Sequence, residues 1–162
     1  MTILPNIKDI LNWKKSEFRW STYNTTIWFW YTYYKESDAI TIPEYQRDYI
    51  WSQEQKENFI RSLFYWVSIP PLILNKAKNW LDWIIVDWSQ RFRTLKLFFE
   101  NKLIVDGVSF DSLEVVQRRR FLNKTLSYIE TNFSTEQEEK EFYRLLNTSG
   151  TQHTKEEIQK AR

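Results

Sequence analysis

Cysteine is missing from the chain, and histidine occurs once, at His153. The first absence excludes disulfides and thiol chemistry. Together they leave no Cys/His zinc cluster and no helical His pair of the zinc-protease kind, and with one histidine a Ser-His-Asp triad is not testable from the sequence. Long hydrophobic runs are missing too. Ile69–Leu74 and Ile84–Val86 fall far short of the roughly 20 residues of a membrane span. The opening "MTILPNIKDILNWKK" meets Pro5, Lys8 and Asp9 before the apolar core of a signal peptide can form. The expectation is a cytosolic protein with no membrane partner. Charge of one sign is nearly absent, since the net charge is +2 and the pI about 8.7; this permits a phosphate-bearing partner without arguing for one. Glycine is the oddest shortage. Only Gly107 and Gly150 are present, where ordinary usage of roughly 7% predicts about eleven. Tryptophan, by contrast, occurs nine times.

What is there fits one globular domain. A length of 162 residues, 42% hydrophobic and 27% charged, suffices for a single core. "NIKDIL" reads as a short amphipathic turn of helix. Residues 17–42, rich in Thr, Tyr, Trp, Phe and Ile, read as one or two strands, forming an N-terminal extension (residues 1–41) that packs on the main domain (42–162). Pro43 leads an extended segment into a polar loop. Ser52 with Gln55 makes a capping box for a helix whose apolar stripe is Phe59, Ile60, Leu63, Phe64 and Val67. Pro70 and Pro71 precede a strand, "LILNK", and "LDWIIVD" gives a second, apolar enough to lie inside a sheet. Phe92, Leu95 and Phe99 mark the next helix. "DGVSF" is a turn, "DSLEVVQRRRFL" a helix, "KTLSYIET" a strand. Ser134 with Gln137 caps a helix that turns Phe142, Leu145 and Leu146 inward, and Thr154 with Glu157 caps a last one, which looks cut short at Arg162. The fold class is α+β, a small mixed sheet with flanking helices.

The stretch "IIVDWSQRFRTLKLFFENKL", residues 84–103, carries the sharpest chemistry: a buried strand turning abruptly into an amphipathic helix. A helix N-terminus offers unpaired N–H groups and the positive end of its dipole to an anion. Arg91 stands in that first turn, where a guanidinium suits phosphate oxygens. Gln90 suits a base, a sugar or a water. Asp87 suits an arginine, Mg²⁺ or an attacking water. A bland reading stands beside this one, in which Asp87 caps the helix and Arg91 is a solvated cation. Other clusters are weaker. In "YQRDY", Gln46 and Arg47 lie between tyrosines, which also describes ordinary packing. Asn147 and Gly150 follow a helix, which also describes a C-cap. Arg118, Arg119 and Arg120 read as a solvated helix face, and the acidic stretch Glu136–Glu141 offsets them.

Taken in order, "IPEYQRDYIW", "IPPLIL", "IIVDWSQRFRTL" and "FYRLLNTSGTQHTKEEIQKA" resemble the N-terminal domain of GmrSD-type restriction enzymes. That family is defined by a DGQQR-like motif and is similar to the ParB/sulfiredoxin fold. The resemblance runs from Ile42 to the end of the chain. It implies a domain that binds, and in some members hydrolyses, nucleoside triphosphates (ATP or GTP, with Mg²⁺), regulating cleavage of modified or foreign DNA. It places catalytic roles on Asp87, Gln90 and Arg91, and nucleotide contacts on Tyr45, Gln46, Arg47, Trp88, Ser89, Arg91, Thr94 and Asn147. DNA or a separate nuclease subunit are the implied partners. Sulfiredoxin chemistry is set aside for want of cysteine, and a His-Asn-His nuclease for want of histidines and length. The alternative is a non-enzymatic ParB-like adaptor that binds DNA or protein, and a third reading is a fragment without independent function.

Trp88 breaks the motif where the family has glycine, and positive φ there would add strain of roughly 1–2 kcal/mol. Trp66 falls where relatives tend to have glycine, and Trp80 and Trp83 fall in an expected hairpin turn. Only Trp51 matches a family tryptophan. The other eight and the two glycines together come close to the roughly eleven glycines expected. Two explanations stand open. UGA is decoded as glycine in some bacterial lineages and as tryptophan in others, so some or all of the eight are glycine in the living cell; or this is a true Trp-rich variant whose nucleotide site has closed.

Overall fold

The computed structural model describes residues 20–36, 40–46, 48–76 and 83–148. Arg47, Trp80, Gly150 and His153, with the helices expected near the start and after Thr154, lie outside the described residues. The chain divides into two units, Glu17–Phe133 and a second whose described element is the helix Glu136–Thr148.

Within Glu17–Phe133, β1 (Trp20–Thr26), β2 (Ile40–Thr41), β3 (Leu72–Lys76), β4 (Trp83–Asp87) and β5 (Thr125–Thr131) form one mixed sheet in the order β1-β5-β3-β4-β2. β1 runs antiparallel along the whole of β5, from Trp20 opposite Thr131 to Thr26 opposite Thr125. β5 lies parallel to β3, β3 antiparallel to β4, and β4 parallel to the two-residue β2. The register of β3 on β4 shifts between Ile73 and Leu74, which face Asp87 and Ile85. Val86 is therefore the extra residue of a bulge, a device that bends a strand where it must re-aim its end.

The helices are α1 (Ile27–Glu36), α2 (Gln53–Phe64), α3 (Ser89–Phe99), α4 (Val115–Leu122) and, in the other unit, α5 (Glu136–Thr148). Helix α1 corrects the all-strand expectation for residues 17–42. Its residues favour strands intrinsically, but Ile27 and Trp30, three apart, are fully buried. Tyr31 reaches the rings of Phe99 and Phe110. Burying one helical face overrides propensity here. Helix α2 starts as expected, with the Ser52 Oγ accepting from Gln55 N at 3.2 Å and Gln55 Oε1 accepting from Ser52 N at 2.8 Å. Its buried stripe is only Phe59, Ile60 and Leu63. Val67 is exposed because the helix ends at Phe64, well before Pro70, and Phe64 is itself partly exposed while its ring stacks on Phe121 at 4.8 Å.

Three smaller corrections concern ends and turns. Trp83 is not in a hairpin turn: it is buried in β4, opposite Lys76 and Ile40. The cap of α5 lies one residue later than expected. Thr135 Oγ1 accepts from Glu138 N at 3.3 Å, and Glu138 Oε2 accepts from Thr135 N at 3.0 Å. Leu145 of that helix is exposed rather than inward. The DGVSF turn is a two-residue hairpin bridging Val105 and Val108, with both Asp106 (φ 51°) and Gly107 (φ 77°) left-handed, as a type I′ turn requires. The core joins Leu72, Leu74 and Ile85 of the sheet to Ile60 and Leu63 of α2 and Leu95 and Phe98 of α3.

Candidate functional site

The bulged end of β4 delivers the chain into α3 within one residue. Asp87 closes the strand, Trp88 is the N-cap at φ 106° and ψ 6°, and Ser89 opens the helix. A cap normally lends a side-chain oxygen to the first turn, but Trp88 makes no such bond. The N–H groups of Ser89, Gln90 and Arg91 thus have no intrahelical acceptor and face outward along the helix dipole, an arrangement that favours an anion.

Arg91 stands beside those groups, half buried, with Nη1 sealed from solvent and without a protein acceptor. Burial pushes its guanidinium below the ordinary arginine value, and the charge of Asp87 pulls it partly back. Its Cζ lies 5.5 Å from the centre of the Trp88 indole. That indole turns inward, packing edge-on against Phe59 and donating from Nε1 to the Pro70 carbonyl at 3.1 Å.

Gln46 and residues 48–51 reach this turn. β2 ends at Thr41, opposite Ile84, and beyond it the Gln46 amide covers the edge of β4, donating to the carbonyls of Ile85 and of Val86, the latter at 3.1 Å. Its Oε1 is buried without a protein donor. Gln90 reaches back from α3. Its Oε1 accepts from Ile50 N at 3.0 Å and Trp51 N at 3.2 Å, and its Nε2 donates to the Asp48 carbonyl at 2.8 Å. Thr94 donates to the Gln90 carbonyl at 2.7 Å, so its oxygen is left to accept from the Tyr49 hydroxyl at 2.8 Å. Burial raises the Tyr49 phenol above its usual value.

The structure therefore brings together most of the residues singled out in the sequence. Gln46, Asp87, Trp88, Ser89, Gln90, Arg91 and Thr94 belong to one cluster, with Ser89, Gln90 and Thr94 buried and Tyr45 half-buried on the 43–46 turn. Arg47 lies outside the described residues. Asn147 is on α5, in the other unit, exposed and donating to the Tyr143 carbonyl at 2.8 Å. Sequence reasoning missed the parts played by Phe59, Pro70 and the backbone of Asp48, Ile50 and Trp51. Main-chain partners leave no mark in side-chain identity. Of the Arg118–Arg120 run, Arg118 is structural, holding the Asp111 carbonyl at 2.9 Å, while Arg119 and Arg120 are exposed. A cavity of about 470 Å³, lined by Phe64, Trp66, Phe98, Val105 and Phe121, lies at the far end of α2 and α3 and contains none of the turn residues.

The turn carries three N–H groups without intrahelical acceptors and a guanidinium nitrogen without a protein acceptor, donor chemistry that suits a phosphate. For Mg²⁺ the turn offers the Asp87 carboxylate; among the described residues no three His, Cys, Asp or Glu side chains group as metal ligands. No described helix is long and apolar enough to cross a membrane.

The sequence model of the GmrSD restriction endonuclease N-terminal domain matches residues 30–162. No curated protein matches the chain. Among solved structures, the fold is similar to "the C-terminally truncated chromosome-partitioning protein ParB from Caulobacter crescentus complexed with CTP-gamma-S". The TM-score is 0.53 at 12% identity, over 87% of this chain and 60% of that one. The likeness carries the fold, and this chain spans only that part of ParB.

Proposed function

The chain belongs to the GmrSD restriction endonuclease N-terminal domain family, and from that premise we propose that it is a non-enzymatic, ParB-like adaptor whose ligand is a nucleoside triphosphate. The nucleotide's phosphates sit at the Asp87–Arg91 turn, and the bound state is passed to DNA or to a partner protein of a restriction system. The observation that carries this reading is the buried, acceptor-less Nη1 of Arg91 beside an uncapped helix start. A buried guanidinium nitrogen without an acceptor is costly, and a phosphate oxygen removes that cost. The nucleotide analogue on the ParB of similar fold supports the same ligand class.

Binding without turnover is favoured by where Gln90 points. Its oxygen already takes two backbone N–H bonds and its nitrogen gives one, so it acts as a strut for residues 48–51 rather than as a free group poised on water. Calorimetry with ATP, GTP and CTP in Mg²⁺, together with phosphate-release assays, tests the proposal. It is run on the chain and on its Trp66→Gly/Trp88→Gly form. The expected result is binding in at least one form, lost tenfold or more in Arg91→Ala, with no phosphate released. Steady release overturns the non-enzymatic part. Folded protein that binds no nucleotide in either form, or binds equally well without Arg91, overturns the site.

A further inference from the structure

Four described residues other than glycine have positive φ: Trp66 (58°), Trp88 (106°), Asn101 (58°) and Asp106 (51°). Asn and Asp tolerate the left-handed region because a short polar side chain bonds locally there. Tryptophan has no such compensation. Seven of the nine tryptophans lie among the described residues. Two of those seven are left-handed, in a conformation that holds a few per cent of non-glycine residues.

The ends of α2 and α3 make the comparison direct. In α3, Asn101 N donates to the Phe98 carbonyl at 3.0 Å and Lys102 N to the Leu97 carbonyl at 2.9 Å. In α2, Trp66 N donates to the Leu63 carbonyl at 3.4 Å and Val67 N to the Ser62 carbonyl at 3.0 Å. Both are Schellman motifs, whose left-handed position is filled by glycine most often and by asparagine next. Asn101 fits that rule, and Trp66 stands in the same place at the same φ. Its ring is 60% exposed, and its one ring contact among the described residues is the Lys124 ammonium at 5.0 Å, a weak attraction at an exposed site that does not depend on a left-handed backbone.

We propose that residues 66 and 88 are glycine in the protein made by its own cell, inserted at UGA codons. The inference rests on the backbone and holds whether or not the turn binds nucleotide. At position 66 glycine completes the helix stop. At position 88 it gives the strand-to-helix turn the one residue that adopts φ 106° without strain, and it clears the room bounded by Phe59, Pro70 and Arg91.

The gene and the native protein test this first. UGA at both codons is expected, with peptide 62–76 from the host lighter by a Trp-to-Gly exchange; UGG at either codon, or Trp in the host peptide, overturns the proposal there. A third readout needs no host. At an ordinary helical site alanine outranks glycine, but at a left-handed one the order reverses. Trp66→Gly is therefore expected to melt several degrees above Trp66→Ala, with Trp66→Asn between them. Trp66→Ala melting as high as Trp66→Gly would show that the backbone does not require glycine, and the proposal would fall. Position 66 is chosen because its exposed ring removes little packing, whereas at 88 the lost indole would mask the gain.

Discussion

Arg91 lies over Trp88, its guanidinium carbon 5.5 Å from the centre of the indole. The side chain best placed to grip a phosphate is thus held on the ring of the residue that caps the same helix. Cation–π attraction of about 0.5–2 kcal/mol opposes its movement toward a ligand. In Trp88→Gly that hold is gone, and nucleotide affinity is expected to rise several-fold by calorimetry. In an Arg91→Ala background the same substitution should change affinity little. An equal gain in both backgrounds would show that the indole acts on something other than Arg91.

Stability moves the other way at that position. Removing a buried indole costs about 3–5 kcal/mol, and relief of left-handed strain returns about 1–2 kcal/mol. Trp88→Gly without ligand is expected to lose roughly 1–4 kcal/mol in urea melts, part of it recovered by saturating nucleotide. A variant as stable as the parent would mean that the strain at φ 106° is larger than this accounting allows.

Gln90 ties the 48–51 segment to α3 by three hydrogen bonds. Gln90→Ala removes the acceptor shared by the part-buried N–H groups of Ile50 and Trp51, at a cost of about 1 kcal/mol, since water reaches the exposed Ile50. Gln90→Glu keeps the acceptor but loses the donor to Asp48 and adds a charge in a buried place. Both are expected to destabilise, with Gln90→Glu becoming milder at low pH, where the carboxyl is protonated. Loss of nucleotide binding at full stability in either variant would instead assign Gln90 a direct contact with the ligand.

How far the sequence discloses this site follows from what each residue bonds to. The strand–turn–helix at Asp87–Arg91 is legible because its apolar period changes abruptly from strand to helix, and Ser52 with Gln55 is legible because a capping box is local in sequence. The joining of "YQRDY" to that turn is not legible. Gln46 and Gln90 bond main-chain groups about forty residues away, and any residue supplies those. Helix α1 is hidden for a different reason: its Trp, Phe and Tyr residues are strand formers, and only the buried i, i+3 pair Ile27 and Trp30 discloses a helix. The glycine shortage is legible as a count, and the family motif already points to 66 and 88; the dihedral angles separate those two from Trp83, which lies in a strand.

Asn75 is a buried junction between β3 and the end of β5. Its Oδ1 accepts from Phe133 N at 2.8 Å and Thr131 Oγ1 at 3.1 Å, and its Nδ2 donates to the Phe133 carbonyl at 3.1 Å. Asn75→Ala leaves both main-chain groups of Phe133 without their side-chain partner. A loss of about 3 kcal/mol in chemical denaturation is expected. Asn75→Asp should be no better, because a carboxylate cannot donate to the Phe133 carbonyl. A neutral effect of Asn75→Ala would mean that water replaces the amide fully.

Asp106 and Arg61 link the Val105–Val108 hairpin to α2. Arg61 Nε meets Asp106 Oδ2 at 2.9 Å and Nη2 meets Oδ1 at 2.7 Å. The Arg61 guanidinium holds the Asp106 carboxyl below its ordinary value of 3.8. A depressed folded-state value means stability that is fully present above the unfolded value and is lost as pH falls through the folded one. Asp106→Asn isolates this effect, because asparagine tolerates the same left-handed φ of 51°. The variant is expected to melt slightly below the parent at pH 7, with the gap closing as pH falls below 3.8. High salt should narrow the gap at neutral pH, since the pair is exposed and screened. A gap that persists at pH well below that value would show that the pair matters through geometry rather than charge.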